Sequence, residues 1–397
     1  MLSIVLYAED VEVNPSIDNI PCVNYESNVL LVPGNDDLLM KLYDRIDRVK
    51  YLGEGQISIL HIGGSHVQAG VFSHRLRTNF RGLIGDNTAS KGVLFPLSTS
   101  SSSYEMWTTG QWESAKCVSR SGSLPLGVKG IAIQSTDPNA SVYFNLKTTA
   151  EDRWEYDELV VLGCDDNDVT PLLVCGRDTL YPSIEEKRSY IFNMPAMASD
   201  GQVLFTGVDE NNPVDFRGII PKNSQSGLVY HEVGINGASG PAWLRCNLFK
   251  EELAHINPDM VIMGIGINDA NVPPSKFDVG YFKRNYRELI NRIKAVNPNA
   301  VFIFITNNDC KLRIKKSGQY NPNTPKVEQA FIDLAREYNG AVWNQFRVMG
   351  GPESSITWVE QGLMKTDRIH FTREGYEILG DLFFNAFVQD FQNLVTL

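Results

Sequence analysis

Apolar and polar positions follow one another along this chain in two different patterns. Short apolar runs begin near residues 57, 228, 259, 300 and 341, and each leads into a helical repeat of apolar positions or into a loop before one. Apolar strands that alternate with amphipathic helices pair in parallel and are covered by helices on both faces. The first pattern therefore predicts an α/β domain with a five-stranded parallel sheet.

The second pattern lies between about residues 100 and 222, where no amphipathic helix can be recognised. Ser98–Ser103 is almost purely serine and threonine, and short β-type segments follow it, separated by Gly, Asp, Asn and Pro. The predicted strands are Lys129–Ser135, Ala140–Leu146, Glu158–Leu162, Pro171–Val174, Gln202–Phe205 and Val214–Ile220. Short strands at this spacing indicate a β-sandwich or jelly roll. We therefore predict that residues 96–225 form a domain inserted into an α/β domain made of residues 1–95 and 226–397.

The charge of the chain narrows the classes of partner. Its 397 residues are 43% apolar, which allows a large core. The formal net charge of -11 argues against a basic surface of the kind that phosphate binding needs. We expect no nucleic-acid partner. No apolar run approaches the roughly 20 residues of a membrane span, and Leu2–Ala8 is too short and lacks the basic flank of a signal peptide.

The cysteines give no metal or redox motif. They are Cys22, Cys117, Cys164, Cys175, Cys246 and Cys310. None forms a C-x-x-C pair, so we expect neither a zinc site nor a redox motif. Cys164 and Cys175 could pair across neighbouring strands, and the redox compartment stays open.

Candidate chemistry begins at the end of the first predicted strand, in the stretch from Ile59 to Gly70. Apolar residues are followed there by two glycines, Ser65 and a helical repeat, which predicts a strand, a tight turn and a helix. A serine in such a turn combines a presented hydroxyl with an N–H at the start of a helix, where backbone donors have no partner. Ser65 is therefore a candidate nucleophile. The alternative is a serine that only caps the helix.

The ends of later strands supply the other groups that serine attack on a carbonyl needs. His370 is the candidate base, because Asp367 lies three residues before it and can orient its ring. The N–H groups of Ser65 and Gly237 and the side-chain amide of Asn268 are candidate oxyanion donors, which meet the developing charge without a metal or other cofactor. The remaining five histidines have simpler structural explanations. Each motif is weak alone, but the order of these residues at successive strand ends is much more specific.

These four blocks resemble those of the SGNH (GDSL-like) hydrolases, which supply a serine, a glycine, an asparagine and a histidine. The matching segments are Gly63-Gly64-Ser65-His66, Gly234-Ile-Asn-Gly237-Ala, Gly266-Ile-Asn268-Asp and Asp367-Arg-Ile-His370. The resemblance implies a flavodoxin-like fold and an acyl-enzyme on Ser65. The family usually has Asp where this chain has Gly64, a departure that concerns rate and rigidity more than mechanism.

The chain is more closely similar to the branch that contains bacterial peptidoglycan O-acetylesterases. The similarity rests on Gly-x-Ser-His in the first block, on Met349-Gly-Gly-Pro followed by Trp358 and Gly362-Leu363, and on His370-Phe-Thr-Arg-Glu-Gly-Tyr376. Members of that branch carry a β-sandwich resembling a carbohydrate-binding module where this chain has its insertion. The resemblance implies an esterase that removes O-acetyl groups from a glycan, and peptidoglycan is the first candidate for that glycan. It also implies a periplasmic or secreted protein.

Other functions remain open on the sequence alone. The substrate could be another acetylated polysaccharide or a simple ester, and a non-catalytic carbohydrate-binding protein on an esterase scaffold is motivated by Gly64 and the large β region. Trp107 and Trp112 are candidate substrate-binding residues whose rings could stack on sugars, although aromatic rings in sandwiches more often belong to the core. A dinucleotide site at Gly264-Ile-Gly266 is excluded, because the third glycine is missing and the segment does not follow the first strand of the sheet.

Overall fold

The computed structural model describes residue 17 and residues 19–85, 88–96, 104–122, 124–146, 154–164, 168–186, 188–312 and 320–395. The serine- and threonine-rich run at residues 98–103 lies outside these residues. In chain order the strands of the described part are β1 Leu30–Leu31, β2 Gln56–Gly63, β3 Thr88–Ser90, β4 Glu105–Thr109, β5 Glu113–Lys116, β6 Ile131–Ser135, β7 Ser141–Asn145, β8 Tyr156–Gly163, β9 Thr170–Cys175, β10 Asp178–Leu180, β11 Ile184–Glu186, β12 Ser189–Ala198, β13 Asp200–Thr206, β14 Val214–Lys222, β15 Gly227–Gly234, β16 Met260–Gly264, β17 Val301–Ile305 and β18 Ala341–Trp343.

The α-helices of the described residues precede or follow strands of the central sheet, namely β2, β15, β16, β17 and β18. They are α1 Asp37–Asp47, α2 Ser65–Gln68, α3 Val71–Leu83, α4 Gly240–Trp243, α5 Phe249–Leu253, α6 Ile267–Ala270, α7 Val279–Lys294, α8 Thr324–Tyr338, α9 Gln345–Val348, α10 Ser354–Glu360 and α11 Arg373–Val395. In this described part, none of the helices is both long and apolar enough to cross a bilayer.

The central sheet has the order β1-β18-β17-β16-β2-β15-β3. The five predicted parallel strands are confirmed as its middle five. In the described residues, however, the sheet has seven strands and not five, and the short strand β3 extends the parallel pairing at one edge. The other edge strand, β1, is antiparallel and was not predicted, because two residues are too few to show a period.

Alternate residues of the middle strands enter two different apolar layers, which is why these strands read as continuous apolar runs. Val261 and Met263 of β16 belong to the layer formed with α4, α5, α7 and α8. Met260 and Ile262 belong to the layer formed with α1, α3 and α11. The carboxyl ends of the strands are left open between these layers, and the site lies there.

The region between β3 and β15 forms two antiparallel sheets, one of order β10-β9-β13-β7-β4 and one of order β11-β12-β8-β14-β6-β5. Rings of the two sheets meet, since Phe144 contacts Tyr156 at a centroid distance of 5.7 Å and Phe205 contacts Phe216 at 6.1 Å. All six strands predicted here are present with slightly different bounds. The description of this region as an inserted β-sandwich, and its boundaries at 96 and 225, stay predictions.

The two ends of this region lie side by side. Leu94 and Ile219 exchange backbone hydrogen bonds, from the N–H of Leu94 at 2.8 Å and from the N–H of Ile219 at 3.0 Å. The region also packs closely on the segment after β15: the N–H of Leu248 donates to the carbonyl of Leu126 at 2.9 Å. Both parts of the chain therefore share one buried apolar cluster.

Candidate active site

Three neighbouring strands end at glycine in the same register. Gly63 of β2 pairs with Gly234 of β15 on one side and with Gly264 of β16 on the other. A Cβ on Gly63 would lie 2.1 Å from Cγ2 of Val67, and one on Gly234 would lie 2.4 Å from the backbone nitrogen of Gln68. The absence of side chains thus lets the short helix α2 pack directly over the strand ends. It brings Ser65, the first residue of α2, next to the segments that follow β15 and β16.

Ser65, His370 and Asp367 form a chain of hydrogen bonds. Oγ of Ser65 lies 2.9 Å from Nε2 of His370, and Nδ1 of His370 lies 2.7 Å from Oδ2 of Asp367. The other carboxylate oxygen of Asp367 accepts the N–H groups of Ile369 at 2.9 Å and His370 at 3.0 Å. The carboxylate therefore fixes both the loop and the ring, and the ring reaches the serine hydroxyl as a general base must.

Opposing effects act on the pKa of the Asp367 carboxyl. Burial raises this pKa, but the hydrogen bonds from the ring and backbone of His370 and from the backbone of Ile369 lower it further, so the net pKa lies below its usual value. Asp367 is therefore ionised at neutral pH and can stabilise a positive charge on His370.

The predicted oxyanion residues lie around Ser65 in the lining of one cavity. Gly237 has a φ of +79°, a left-handed conformation that favours glycine. Nδ2 of Asn268 donates to the carbonyl of Ala238 at 2.8 Å, which fixes the amide beside Gly237. The N–H of Asn236 donates to Oε1 of Gln68 at 2.6 Å, so the turn is also tied to the helix that begins at Ser65.

Asp269 connects the two loops that carry Gly237 and Asn268. Both of its carboxylate oxygens accept the N–H of Gly240, at 3.0 and 3.2 Å. Burial raises the pKa of Asp269 to about 7. Asp269 was not predicted as a site residue, although its place directly after Asn268 was a signal that could have identified it.

A second missed cluster supports the loop of residues 365–371. Nε of Arg368 donates to Oγ of Ser355 at 2.9 Å, and Ser355 donates both its hydroxyl and its N–H to Oδ2 of Asp309. Asp309 and Ser355 are fully buried, and Arg368 has a left-handed φ of 54°. Arg368 lies between Asp367 and His370 in the chain, so this cluster holds the segment that carries both.

His66, which follows the nucleophile, also lines the cavity. Its Nδ1 lies 2.8 Å from the hydroxyl of Tyr376, and its ring centroid lies 5.5 Å from that of His370. Burial, with the charge of His370, lowers the pKa of His66 to about 3. This imidazole is therefore neutral and cannot replace His370 as a charged partner of Asp367.

The cavity has a volume of about 280 Å³. The candidate groups that line it are Ser65, Gly237, Asn268 and His370. Asn271, Asn307, Asn308 and Asn321 add further amides to its wall, and Phe371 and Ile369 add apolar surface. A cavity with a few convergent polar groups on an apolar background is typical of a small-molecule or polymer-end site.

The two candidate tryptophans do not line this cavity. Trp107 is 49% exposed on β4 and stacks on Tyr143 with ring centroids 5.4 Å apart and planes 6° apart. Trp112 is half-buried: its Nε1 donates to the carbonyl of Thr109 at 2.7 Å and its ring meets Phe205 edge to face. Of the two, Trp107 is the one that presents an open ring face to a ligand.

The departure at Gly64 has a structural counterpart. Gly64 has a φ of -99° and a ψ of -135°. A Cβ at this position would lie 3.2 Å from Nδ2 of Asn268. A side chain at position 64 would therefore contact the amide of Asn268. In this chain, which has no side chain there, that amide donates to the carbonyl of Ala238.

The candidate residues show no metal-binding arrangement. Within the described ranges, no group of three His, Cys, Asp or Glu side chains is placed to hold a metal ion. The chemistry available to the site is that of a hydroxyl, an imidazole, a carboxylate and neutral N–H donors.

One protein-family model matches part of the chain. Residues 209–378 match the model of the GDSL-like lipase/acylhydrolase family. The match contains Gly237, Asn268, Asp367 and His370, whereas Ser65 lies outside it. A search of the curated proteins finds no significant match.

Solved structures are similar in fold at low sequence identity. A peptidoglycan O-acetylesterase is 20% identical and covers 92% of this chain and 99% of its own, with a TM-score of 0.73. An acetylxylan esterase, Axe2 from Geobacillus stearothermophilus, is 18% identical and covers 41% of this chain and 73% of its own, with a TM-score of 0.31. A GDSL-like lipase from Bacteroides thetaiotaomicron is 19% identical and covers 41% and 76%, with a TM-score of 0.31. The first structure therefore shows the fold of this chain. The TM-scores of the other two are too low to show more.

Proposed function

We propose that this chain, whose residues 209–378 match the model of the GDSL-like lipase/acylhydrolase family, is a serine esterase that removes O-acetyl groups from a glycan, in the first place peptidoglycan. The observation that carries this proposal is the hydrogen-bonded chain from Ser65 through His370 to Asp367 at the wall of a cavity. The proposed place of action is the periplasm or the cell exterior.

In the first half of the reaction, Oγ of Ser65 attacks the acetyl carbonyl and Nε2 of His370 takes the hydroxyl proton. The imidazolium that forms is stabilised by the ionised Asp367. His370 then gives the proton to the sugar oxygen, which leaves as an alcohol, and the acetyl group stays on Ser65. In the second half, His370 activates water against the acetyl-enzyme in the same way and acetate is released.

The negative charge of each tetrahedral intermediate needs donors that are already in place. The N–H groups of Ser65 and Gly237 and the second hydrogen of the Asn268 amide are proposed for this role. Neutral donors held by the rest of the fold stabilise the oxyanion without reorganisation, and removal of one such donor typically costs about 10²–10³ in turnover. The ties of Asn268 to Ala238 and of Asp269 to Gly240 keep these groups in position.

The two antiparallel sheets are proposed to bind the polymer. Trp107 and Tyr143 form a stacked, partly exposed pair on β4 and β7, and flat apolar faces of this kind can stack on sugar rings. Binding energy gained away from the ester lowers the barrier only for substrates long enough to reach it. The similarity in fold to a solved peptidoglycan O-acetylesterase adds support for the glycan and does not decide it.

A substrate panel tests the proposal. Acetate release is measured on O-acetylated peptidoglycan, on acetylated xylan and on a small aryl acetate, with the Ser65→Ala protein as the blank. The proposal predicts release from all three with the highest kcat/KM on acetylated peptidoglycan. A preference for xylan would favour the polysaccharide alternative, and binding to glycans without release of acetate would favour a non-catalytic carbohydrate-binding protein.

A further inference from the structure

The cysteine pair suggested by the sequence cannot form. Cys164 directly follows β8, whereas Cys175 hydrogen-bonds to Tyr156, the first residue of the same strand. At about 3.3 Å per residue the two ends of this strand are about 25 Å apart, while the Cα atoms of a disulfide are about 6 Å apart. The expectation of a Cys164–Cys175 pair is therefore wrong, because Cys175 lies at the opposite end of β8 from Cys164.

A different pair of thiols is in contact. Cys117 follows β5, in the region predicted as the insertion, and Cys246 lies between α4 and α5, in the segment that follows the Gly237 turn. Both side chains are fully buried and carry no disulfide. Each thiol shifts the pKa of the other, so the two are neighbours in the core.

The backbone around the two cysteines holds them together independently of the thiols. Nε of Arg245 donates to the carbonyl of Cys117 at 2.7 Å. The N–H of Cys117 donates to the carbonyl of Gly130 at 2.8 Å, and a Cβ on Gly130 would lie only 2.8 Å from the ring of Trp243. The segments are therefore packed too closely for the thiols to separate without a local opening.

We propose that Cys117 and Cys246 form a disulfide that links the antiparallel sheets to the segment after the Gly237 turn. The proposal rests on this packing and is independent of the proposed esterase function. Either cysteine can attack first, and the steps are the same with the two residues exchanged.

The oxidant is a small disulfide such as oxidised glutathione, acting during folding before the thiols are buried. The thiolate of Cys117 attacks one glutathione sulfur and releases one glutathione thiolate, which leaves a mixed disulfide. The thiolate of Cys246 then attacks the sulfur of Cys117 and releases the second glutathione. Two protein thiols are oxidised, one glutathione disulfide is reduced to two thiols, and the two thiol protons are taken up by the leaving thiolates.

The link would brace the proposed oxyanion turn. Val118, next to Cys117, has its Cγ1 3.9 Å from the position that a Cβ on Gly237 would occupy. A disulfide at Cys117 therefore holds Val118 against this turn. It also closes a long loop of chain, which restricts the unfolded state more than a short loop does.

A peptide map of the full-length protein, refolded with oxidised glutathione and alkylated before digestion, tests the link. Trypsin releases Cys117 in residues 117–120 and Cys246 in residues 246–250, each with a single cysteine. The expected result is one species that joins these two peptides, two hydrogens lighter than their sum, with the other four cysteines alkylated. Finding both peptides separately alkylated, or Cys117 joined to another cysteine, would overturn the proposal.

Thermal melting gives a second measurement. The oxidised wild-type protein should lose about 5 °C or more of melting temperature on reduction, and Cys117→Ser and Cys246→Ser should each abolish this response. Cys310→Ser, which removes another buried thiol, should keep it. A melting temperature that ignores reductant in a protein whose peptides are linked would overturn the bracing role, and the peptide map decides the link even if a variant does not fold.

Discussion

Nδ2 of Asn268 donates a hydrogen bond to the carbonyl oxygen of Ala238 at 2.8 Å. This bond occupies one of the two amide hydrogens, and Asn268 and Gly237 line the same cavity. The amide is therefore held in place before a substrate arrives, as a donor to a transition state must be.

We expect Asn268→Ala to lower turnover by about 10²–10³ with little change in KM, because the lost bond is made to the oxyanion and not to the ground state. Asn268→Asp keeps the shape but cannot donate, so it should lose as much. Steady-state kinetics on an aryl acetate measures both. An altered KM with unchanged turnover would show that Asn268 binds ground-state substrate instead.

The buried cluster at Arg368 predicts an effect on catalysis beyond its effect on stability. Asp309→Asn and Ser355→Ala should lower turnover about tenfold to a hundredfold in protein that is still folded, because small displacements of reacting groups are costly. Asp381→Asn provides a matched control, since it removes a buried carboxylate that pairs with Arg75 on other elements. It should lower the melting temperature and leave turnover per folded molecule unchanged. Equal turnover losses in all three variants would indicate a general loss of structure.

Trp107 is expected to act on polymers only. Trp107→Ala should raise KM for acetylated glycan polymer by about fivefold, equivalent to about 1 kcal/mol of stacking, and leave aryl acetate hydrolysis within about twofold. Trp112→Ala should lower the melting temperature, because Trp112 packs on Phe205. Equal losses on polymer and aryl acetate for Trp107→Ala would mean that the sheets only support the catalytic domain.

His231 predicts a contribution to acid sensitivity. Its Nδ1 accepts the N–H of Val93 at 3.1 Å, and burial, with nearby positive charges, lowers its pKa to about 3. Between pH 6.5 and 3 the unfolded chain binds a proton at this site that the folded protein excludes, so the stability present above pH 6.5 is lost as the pH falls.

In the His231→Gln variant, the side-chain carbonyl of the glutamine can still accept the N–H of Val93, but the glutamine does not titrate. His231→Gln should therefore reduce the slope of unfolding free energy against pH by about 1.4 kcal/mol per pH unit between about pH 6 and 4. Denaturant unfolding of both proteins across this range measures the slope. An unchanged slope would mean that His231 is charged in the folded state.

Much of the fold follows from local pattern, and the exceptions have physical reasons. Glu105–Thr109 was missed because this strand buries no residue fully, so its apolar positions do not repeat. Ser189–Ala198 was missed because it contains Pro195 and its register shifts after Asn193, both of which hide a strand. The parallel strands of the central sheet were found because both of their faces are buried.

The site divides in the same way. Ser65, Gly237 and Asn268 could be predicted because each lies just beyond a strand end, where topology brings distant segments together. His370 could be predicted because Asp367 lies three residues before it. Asp309, Ser355 and Arg368 could not, since nothing in their spacing connects three polar residues that meet only in the folded chain. The contact of Val118 with the Gly237 turn was hidden for the same reason.

Acetate release from O-acetylated peptidoglycan by the Ser65→Ala protein is the decisive measurement for an acyl-enzyme on Ser65. We expect a loss of at least about 10³ in rate relative to wild type, with an unchanged melting temperature. Ser58→Ala, a substitution in β2, the strand that leads to Ser65, removes a hydroxyl that donates to the carbonyl of Ile256 and should keep full activity. If Ser65→Ala kept more than about a tenth of the wild-type rate, Ser65 would not be the nucleophile and the proposed acyl-enzyme would be contradicted.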